Sequence, residues 1–222
     1  METKRLLYAF LFPGLFVLFL WVIFLLEQGL GADWHRFGIF PRTPSGLWGI
    51  LTEPLIHSGM RHLFSNSIPL IILGWCLFYF YNEIGFAVVP VLWLLSGFLT
   101  WSIGRESWHI GASGLVYALS FFLFFSGIFR RYIPLMAVSL MVVFLYGSTL
   151  WNMFPVAELV DPTISWEGHL SGAVSGLACA VIFRKYGPQK PEENEENEEN
   201  EGNERNEGNE GNEGNEGNDL EA

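Results

Sequence analysis

The chain has 222 residues, half of them hydrophobic, with 20 Phe, 9 Trp and a formal net charge of −11. Apolar runs long enough to cross a bilayer recur up to about residue 185, which excludes an ordinary water-soluble domain. The charge belongs to the C-terminal end: residues 192–222 hold 14 of the 23 acidic residues and one arginine, a net −13, which leaves +2 for residues 1–191.

The first apolar run, 6–26, follows Lys4-Arg5 and has no small-residue cleavage pattern behind it. It reads as a retained signal-anchor helix. The connection 27–61 is long and amphipathic. It includes Asp33-Trp34-His35-Arg36-Phe37, Pro41, Pro44 and Leu47-Trp48-Gly49-Ile50-Leu51. An ordered loop along the outer interface is expected, because Trp34, Phe37, Phe40, Trp48 and Leu51 need apolar surroundings. Five more apolar segments follow, at 62–82, 86–104, 113–129, 132–151 and 166–184. The expected fold is an all-α polytopic membrane protein with six transmembrane helices. Cys76 and Cys179 lie inside two of these segments and read as small packing residues, not a disulfide framework.

Lys4 and Arg5, Arg130 and Arg131, and Arg184 and Lys185 all fall on one side of a six-span chain. The positive-inside rule makes that side the cytoplasm, with both termini there, in the cell membrane. Residues 1–187 form the expected membrane domain and 188–222 a tail. Residues 192–218 are nine consecutive Glu-x-Asn triplets without an apolar side chain larger than Gly, which implies a solvated, disordered segment.

Polar groups at membrane depth are costly and mark function by default. They concentrate at three places. At the outer start of the second span, His62 and Asn66 are four residues apart and share a helix face, while His57 points elsewhere. Two donors on one face suit an oxyanion, and an interhelical hydrogen bond is the plainer reading. At the start of the fourth span stands Gly111-Ala112-Ser113-Gly114, with Tyr117 one turn on, on the face of Ser113. The sixth span opens with Glu167-Gly168-His169, and Gly172 and Gly176 make a small-residue strip on the face of His169. If that strip packs on Gly114, Ser113 meets His169, giving a serine activated by a histidine base. His109, four residues before Ser113, is a rival base. For the His57–Asn66 block a zinc reading is weak, since it has no His-Glu-x-x-His pattern and no Cys, Asp or Glu at ligand spacing, and no metal or cofactor is expected.

Together these three blocks, His57-x4-His62-x3-Asn66, Gly111-Ala112-Ser113-Gly114-x2-Tyr117 and His169-x2-Gly172-x3-Gly176, resemble the rhomboid intramembrane serine proteases over about residues 5–186. The resemblance implies a six-helix bundle with a water-filled cavity open to the outside. It makes Ser113 the nucleophile and His169 the general base and acid, and His62 and Asn66 the oxyanion hole together with the Ser113 N–H. Tyr117 becomes the residue packed on the imidazole, Gly111 part of the loop receiving the substrate strand, and His57 a supporting residue near the cavity mouth. Many members carry a Trp-Arg pair in the first outer loop; here the nearest run is Trp34-His35-Arg36. The lack of a seventh span and of an N-terminal soluble domain resembles the basic prokaryotic form. The implied partners are transmembrane protein substrates and the lipid bilayer, not nucleic acid. The rival function is a non-catalytic, rhomboid-like protein that binds membrane helices.

Overall fold

The computed structural model describes residues 2–146, Phe154 and residues 164–189. Among these the chain is helical, with one isolated antiparallel bridge between Ile39 and His109. The helices are α1 (Glu2–Leu30), the one-turn α2 (Gly49–Thr52), α3 (Met60–Phe80), α4 (Gly85–Ile103), α5 (Ser113–Arg130), α6 (Ile133–Tyr146) and α7 (Trp166–Ile182). Four of them, α1, α3, α4 and α5, are long and apolar enough to cross a membrane. The helix α7 has 17 residues and α6 has 14. The segment 147–151 of the fifth expected span, and the tail from 190, lie outside the described residues.

Burial ranks the helices. In their most apolar windows α5 is 67% buried and α1 and α4 each 28%. So α5 is the centre of the bundle, and α1 and α4 offer broad apolar faces to their surroundings. On α1 these include Leu7, Leu11, Leu15, Leu18 and Leu25, all exposed. Such faces are stable only beside another apolar phase. The chain folds as a membrane bundle.

Small residues set the helix spacing, as expected where the surrounding phase is itself apolar and close packing must hold the helices together. A Cβ at Gly74 of α3 would come within 2.7 Å of Pro13 Cβ, so Gly74 admits the proline turn of α1. A Cβ at Gly127 would overlap Ser139 Oγ and the Leu135 carbonyl, so α5 and α6 touch there. Ser139 Oγ also reaches the Phe124 carbonyl at 2.8 Å. At Gly172 and Gly176 added carbons would overlap the carbonyls of Gly114 and Ala118. This is the α5–α7 contact expected of the glycine strip. An apolar groove of about 410 Å³ opens between α1, α3 and α6, walled by Leu6, Trp75, Tyr79, Phe80, Val138 and Met141.

Arg130 does more than mark a basic helix end. It is buried, and its guanidinium donates to the Phe183 carbonyl at 2.7 Å, and to Tyr186 O and Ser126 Oγ, while lying over the Tyr81 ring. It thus supplies donors to the carbonyls that follow the C-terminus of α7, where positive charge is favoured.

The connection 31–59 is ordered, with single turns at His35–Phe37, Ser45–Leu47 and Glu53–Leu55. It is pinned to α4 by Trp93 Nε1 donating to Ile50 O (2.8 Å) and by Trp101 Nε1 donating to Thr43 O (2.9 Å). Only part of its apolar content is covered. Ile39 and Ile50 are buried, whereas Phe37, Trp48 and Leu51 remain exposed. In one-turn helices three consecutive residues point to three sides, so this loop cannot bury its whole apolar set on one face.

Candidate active site

Ser113 is the first residue of α5, and its arrival there depends on a turn only glycine makes easily. Gly111 has φ +105°, a conformation that strains any L side chain. Its N–H donates to the Glu53 carbonyl at 2.9 Å. A Cβ at Gly111 would lie 2.5 Å from both Cε1 and Nε2 of His62 and 3.6 Å from Asn66 Nδ2. The turn before Ser113 therefore runs directly against the first turns of α3.

His169 lies in the first turn of α7. The helix is started by Ser165, whose hydroxyl accepts the Gly168 N–H at 3.1 Å, a side-chain N-cap. Because Gly172 and Gly176 bring α7 against α5, the imidazole reaches across. His169 Nε2 is 2.9 Å from Ser113 Oγ. The Tyr117 ring stacks on the imidazole, with centroids 4.4 Å apart and planes 13° from parallel. His169 is buried, and Ser113 and His62 keep partial access to solvent.

His62 and Asn66 share one face of α3, as their spacing requires. His62 Nδ1 is 3.1 Å from Ser58 Oγ. With the hydroxyl donating, Nε2 carries the ring proton and faces the Gly111 turn. Asn66 is buried, and its Nδ2 has no partner among the described residues. An unused buried donor is costly, and here two donors border the turn that carries the serine. His57 packs edge-on against His62, with centroids 5.1 Å apart, and is only 2% exposed. It touches His62 and does not line an open surface. Burial, and then the neighbouring His62, hold its pKa down to about 4, so it is neutral.

His109 does not approach Ser113 as a base. Its Nε2 is 3.0 Å from the Arg105 carbonyl and its Nδ1 is 2.6 Å from Ser165 Oγ. Nε2–H then donates to that carbonyl and Nδ1 accepts from Ser165, whose oxygen also takes the Gly168 N–H. Its backbone exchanges hydrogen bonds with Ile39. His109 thus joins the connection 31–59 to the cap of α7. The neighbouring Arg105 Nε is 3.7 Å from Glu167 Oε1 and ties its own loop to the first turn of α7.

Glu53 escapes a reading of motifs. It is 6% exposed, and one carboxylate oxygen lies about 4 Å from where side chains would start at Gly114 and Gly168. It therefore wedges against the first turns of both α5 and α7. The available signal was a lone carboxylate within the apolar stretch 46–56.

Residues 44–186 match the family model described as the rhomboid domain. The chain belongs to the rhomboid family. It is 36% identical over 173 residues to an uncharacterised protein of Mycobacterium bovis, covering 75% of this chain and 72% of the relative. An uncharacterised protein of Mycobacterium leprae is 33% identical over 174 residues, 75% of this chain and 68% of the relative. The mouse protein named rhomboid-related protein 2 is 29% identical over 147 residues, 62% of this chain and 48% of that one. With its long apolar helices, this rhomboid is a multi-pass membrane protein.

Glu53 makes the fold of this rhomboid sensitive to pH. Burial pushes its carboxyl from an ordinary 4.5 up to about 8. Between those values the native chain holds a proton that the unfolded chain has lost. The stability tied to neutral Glu53 is therefore full below about 4.5 and is lost as pH rises through about 8. His57 acts in the opposite sense, its contribution fading as pH falls from 6.5 towards about 4. We expect Glu53→Gln to gain thermal stability over the parent at alkaline pH and to lose that advantage in acid. Parallel melting curves at all pH values would contradict this.

Proposed function

We propose that this rhomboid is an intramembrane serine endopeptidase that cuts transmembrane-helix substrates near the outer membrane face with a Ser113–His169 dyad. The single observation that carries the reading is the 2.9 Å contact between Ser113 Oγ and His169 Nε2, under the stacked Tyr117 ring. A hydroxyl hydrogen-bonded to an oriented imidazole is the geometry of an activated nucleophile.

The reaction runs in two halves. Ser113 Oγ attacks the substrate carbonyl carbon while its proton passes to His169 Nε2. The negative carbonyl oxygen is held by His62 Nε2–H, Asn66 Nδ2–H and the Ser113 backbone N–H. His169 then gives the proton to the leaving amine, and the C–N bond breaks. Water, activated by the same imidazole, hydrolyses the acyl-enzyme and returns the proton to Ser113. The substrate bond must be extended, because a helical peptide group is shielded by its own hydrogen bonds. Helix-weakening residues near the outer face are therefore the substrate signature.

On this reading α1 and α3 to α7 are the six spans, Ser113 and His169 share one outer depth, both termini are cytoplasmic and the chain lies in the cell membrane. Lys4-Arg5, Arg130-Arg131 and Arg184-Lys185 support this orientation.

The test uses purified protein in detergent, a helix-weakened transmembrane substrate and a fluorophosphonate probe. Wild type cleaves the substrate and is labelled at Ser113, and Ser113→Ala does neither. Equal cleavage by the two proteins sinks the protease reading, and binding without cleavage favours the helix-binding alternative. Asn66→Ala removes a donor aimed at the developing oxyanion. It should lower kcat by about 10²–10³ with little change in KM. A fall in affinity at constant kcat would instead make Asn66 a ground-state contact.

A further inference from the structure

The end of α1 carries a buried carboxylate that the catalytic reading does not use. Glu27 sits one turn before Leu30 and is only 3% exposed. Its Oε1 accepts the Trp34 N–H at 2.9 Å, while its Oε2 is buried without a partner among the described residues. A carboxylate oxygen shut off from water and from donors is costly unless a cation sits against it. Two further ligand side chains converge there. Glu27, Asp33 and His35 each offer a ligand atom, and these atoms lie within 4.8 Å of one another.

We propose that Glu27, Asp33 and His35 form a binding site for a divalent first-row transition cation, with Zn²⁺ the best match. Two carboxylates balance the ion's charge. An imidazole nitrogen selects transition ions over Ca²⁺ and Mg²⁺, which prefer oxygen. The place is favourable as well, because a helix C-terminus is negative and α1 has no basic residue in its last turn. The nearby Arg36 guanidinium is directed over the Phe37 ring.

The ligands can close on an ion by side-chain rotation. Zn²⁺ bonds to N and O of about 2.0–2.2 Å put tetrahedral donors about 3.4 Å apart. Glu27 is held by the Trp34 N–H. The Asp33 side chain is 81% exposed and that of His35 44%, so both are free to turn inward. They already meet at 2.6 Å through one shared proton, His35 Nδ1 to Asp33 Oδ1. The ion takes that proton's place, and its remaining positions hold water. Three protein ligands with water in the remaining position make an open zinc site. The bound ion would fasten the end of α1 to the turn His35–Phe37, just before Ile39 pairs with His109.

Isothermal titration of the metal-stripped full chain in detergent with Zn²⁺ tests this, with Glu27→Gln and His35→Ala in parallel. All three proteins keep the acidic tail, so weak binding there is a common background. Wild type should show one saturable equivalent above that background, weakened at least tenfold in each variant. Zn²⁺ should also raise the thermal midpoint of wild type and of neither variant. Co²⁺ in place of Zn²⁺ should give a visible spectrum that His35→Ala loses. Identical isotherms for the three proteins, or no equivalent above background in wild type, overturn the proposal. Should Glu27→Gln fail to fold, His35→Ala, altered at a half-exposed loop position, decides alone.

Discussion

His169→Ala and Ser113→Ala should each slow substrate cleavage on the order of 10⁴-fold or more, and the double variant should be no slower than either. On the proposed mechanism the two groups act as one unit. Without the imidazole the hydroxyl keeps its proton and is a poor nucleophile, and without the hydroxyl the imidazole has nothing to activate. The 2.9 Å contact makes this coupling direct. Single-turnover rates on a helix-weakened transmembrane substrate are the measurement, because they report the acylation step free of product release. Additive losses would mean that the residues serve separate steps. Wild-type rates in His169→Ala would return the role of base to another group. Tyr117 holds the ring plane, so Tyr117→Ala should lose activity while Tyr117→Phe, which keeps the stack, retains most of it.

The meeting of Ser113 with His169 was legible because it follows from local rules. Both residues begin helices, both are flanked by glycine, and Gly172 and Gly176 can pack only against another backbone. The partners that complete the site were less legible, because they act between loops distant in sequence. Glu53 reaches the first turns of α5 and α7 only through tertiary folding. His109 looks like a base when only its spacing from Ser113 is counted. The bridge to Ile39 and the bond to Ser165 turn it away. Ser165 itself carried a readable cap signal, a hydroxyl three residues before Gly168 with Glu167 in the first turn.

Helix ends behaved in the same way. The first apolar run ends at Leu26, before Glu27, yet α1 continues to Leu30. The helix passes the carboxylate because Trp34 N–H returns to it, a contact that the loop must fold to make. Arg130 counts towards the positive-inside orientation, and it is buried against the carbonyls that follow α7. Charged residues at span ends thus gave the orientation argument its signal, while their contacts depended on neighbours no local pattern encodes.

Gly172→Ala should combine a modest loss of stability with a large loss of rate. The added carbon would overlap the Gly114 carbonyl and come 3.1 Å from Tyr117 Cβ. The obstacle is backbone and cannot rotate aside, so α7 must move off α5. Overpacking of this kind costs about 1–3 kcal/mol. The catalytic cost is larger, because Ser113 adjoins Gly114 and His169 is one turn before Gly172. Any separation stretches the serine–histidine contact and tilts the Tyr117 stack, and a 1 Å misplacement can cost about 10²-fold. Gly127→Ala is the matched control. It meets Ser139 Oγ and the Leu135 carbonyl at the α5–α6 contact, deep in the bundle and away from the dyad. It should unfold as easily as Gly172→Ala yet keep near wild-type kcat per folded molecule. Thermal unfolding and kcat measured on the same samples separate the two effects. Equal rate losses in both variants would mean that general loosening slows the reaction. A normal rate in Gly172→Ala would show that the dyad does not depend on the α5–α7 spacing.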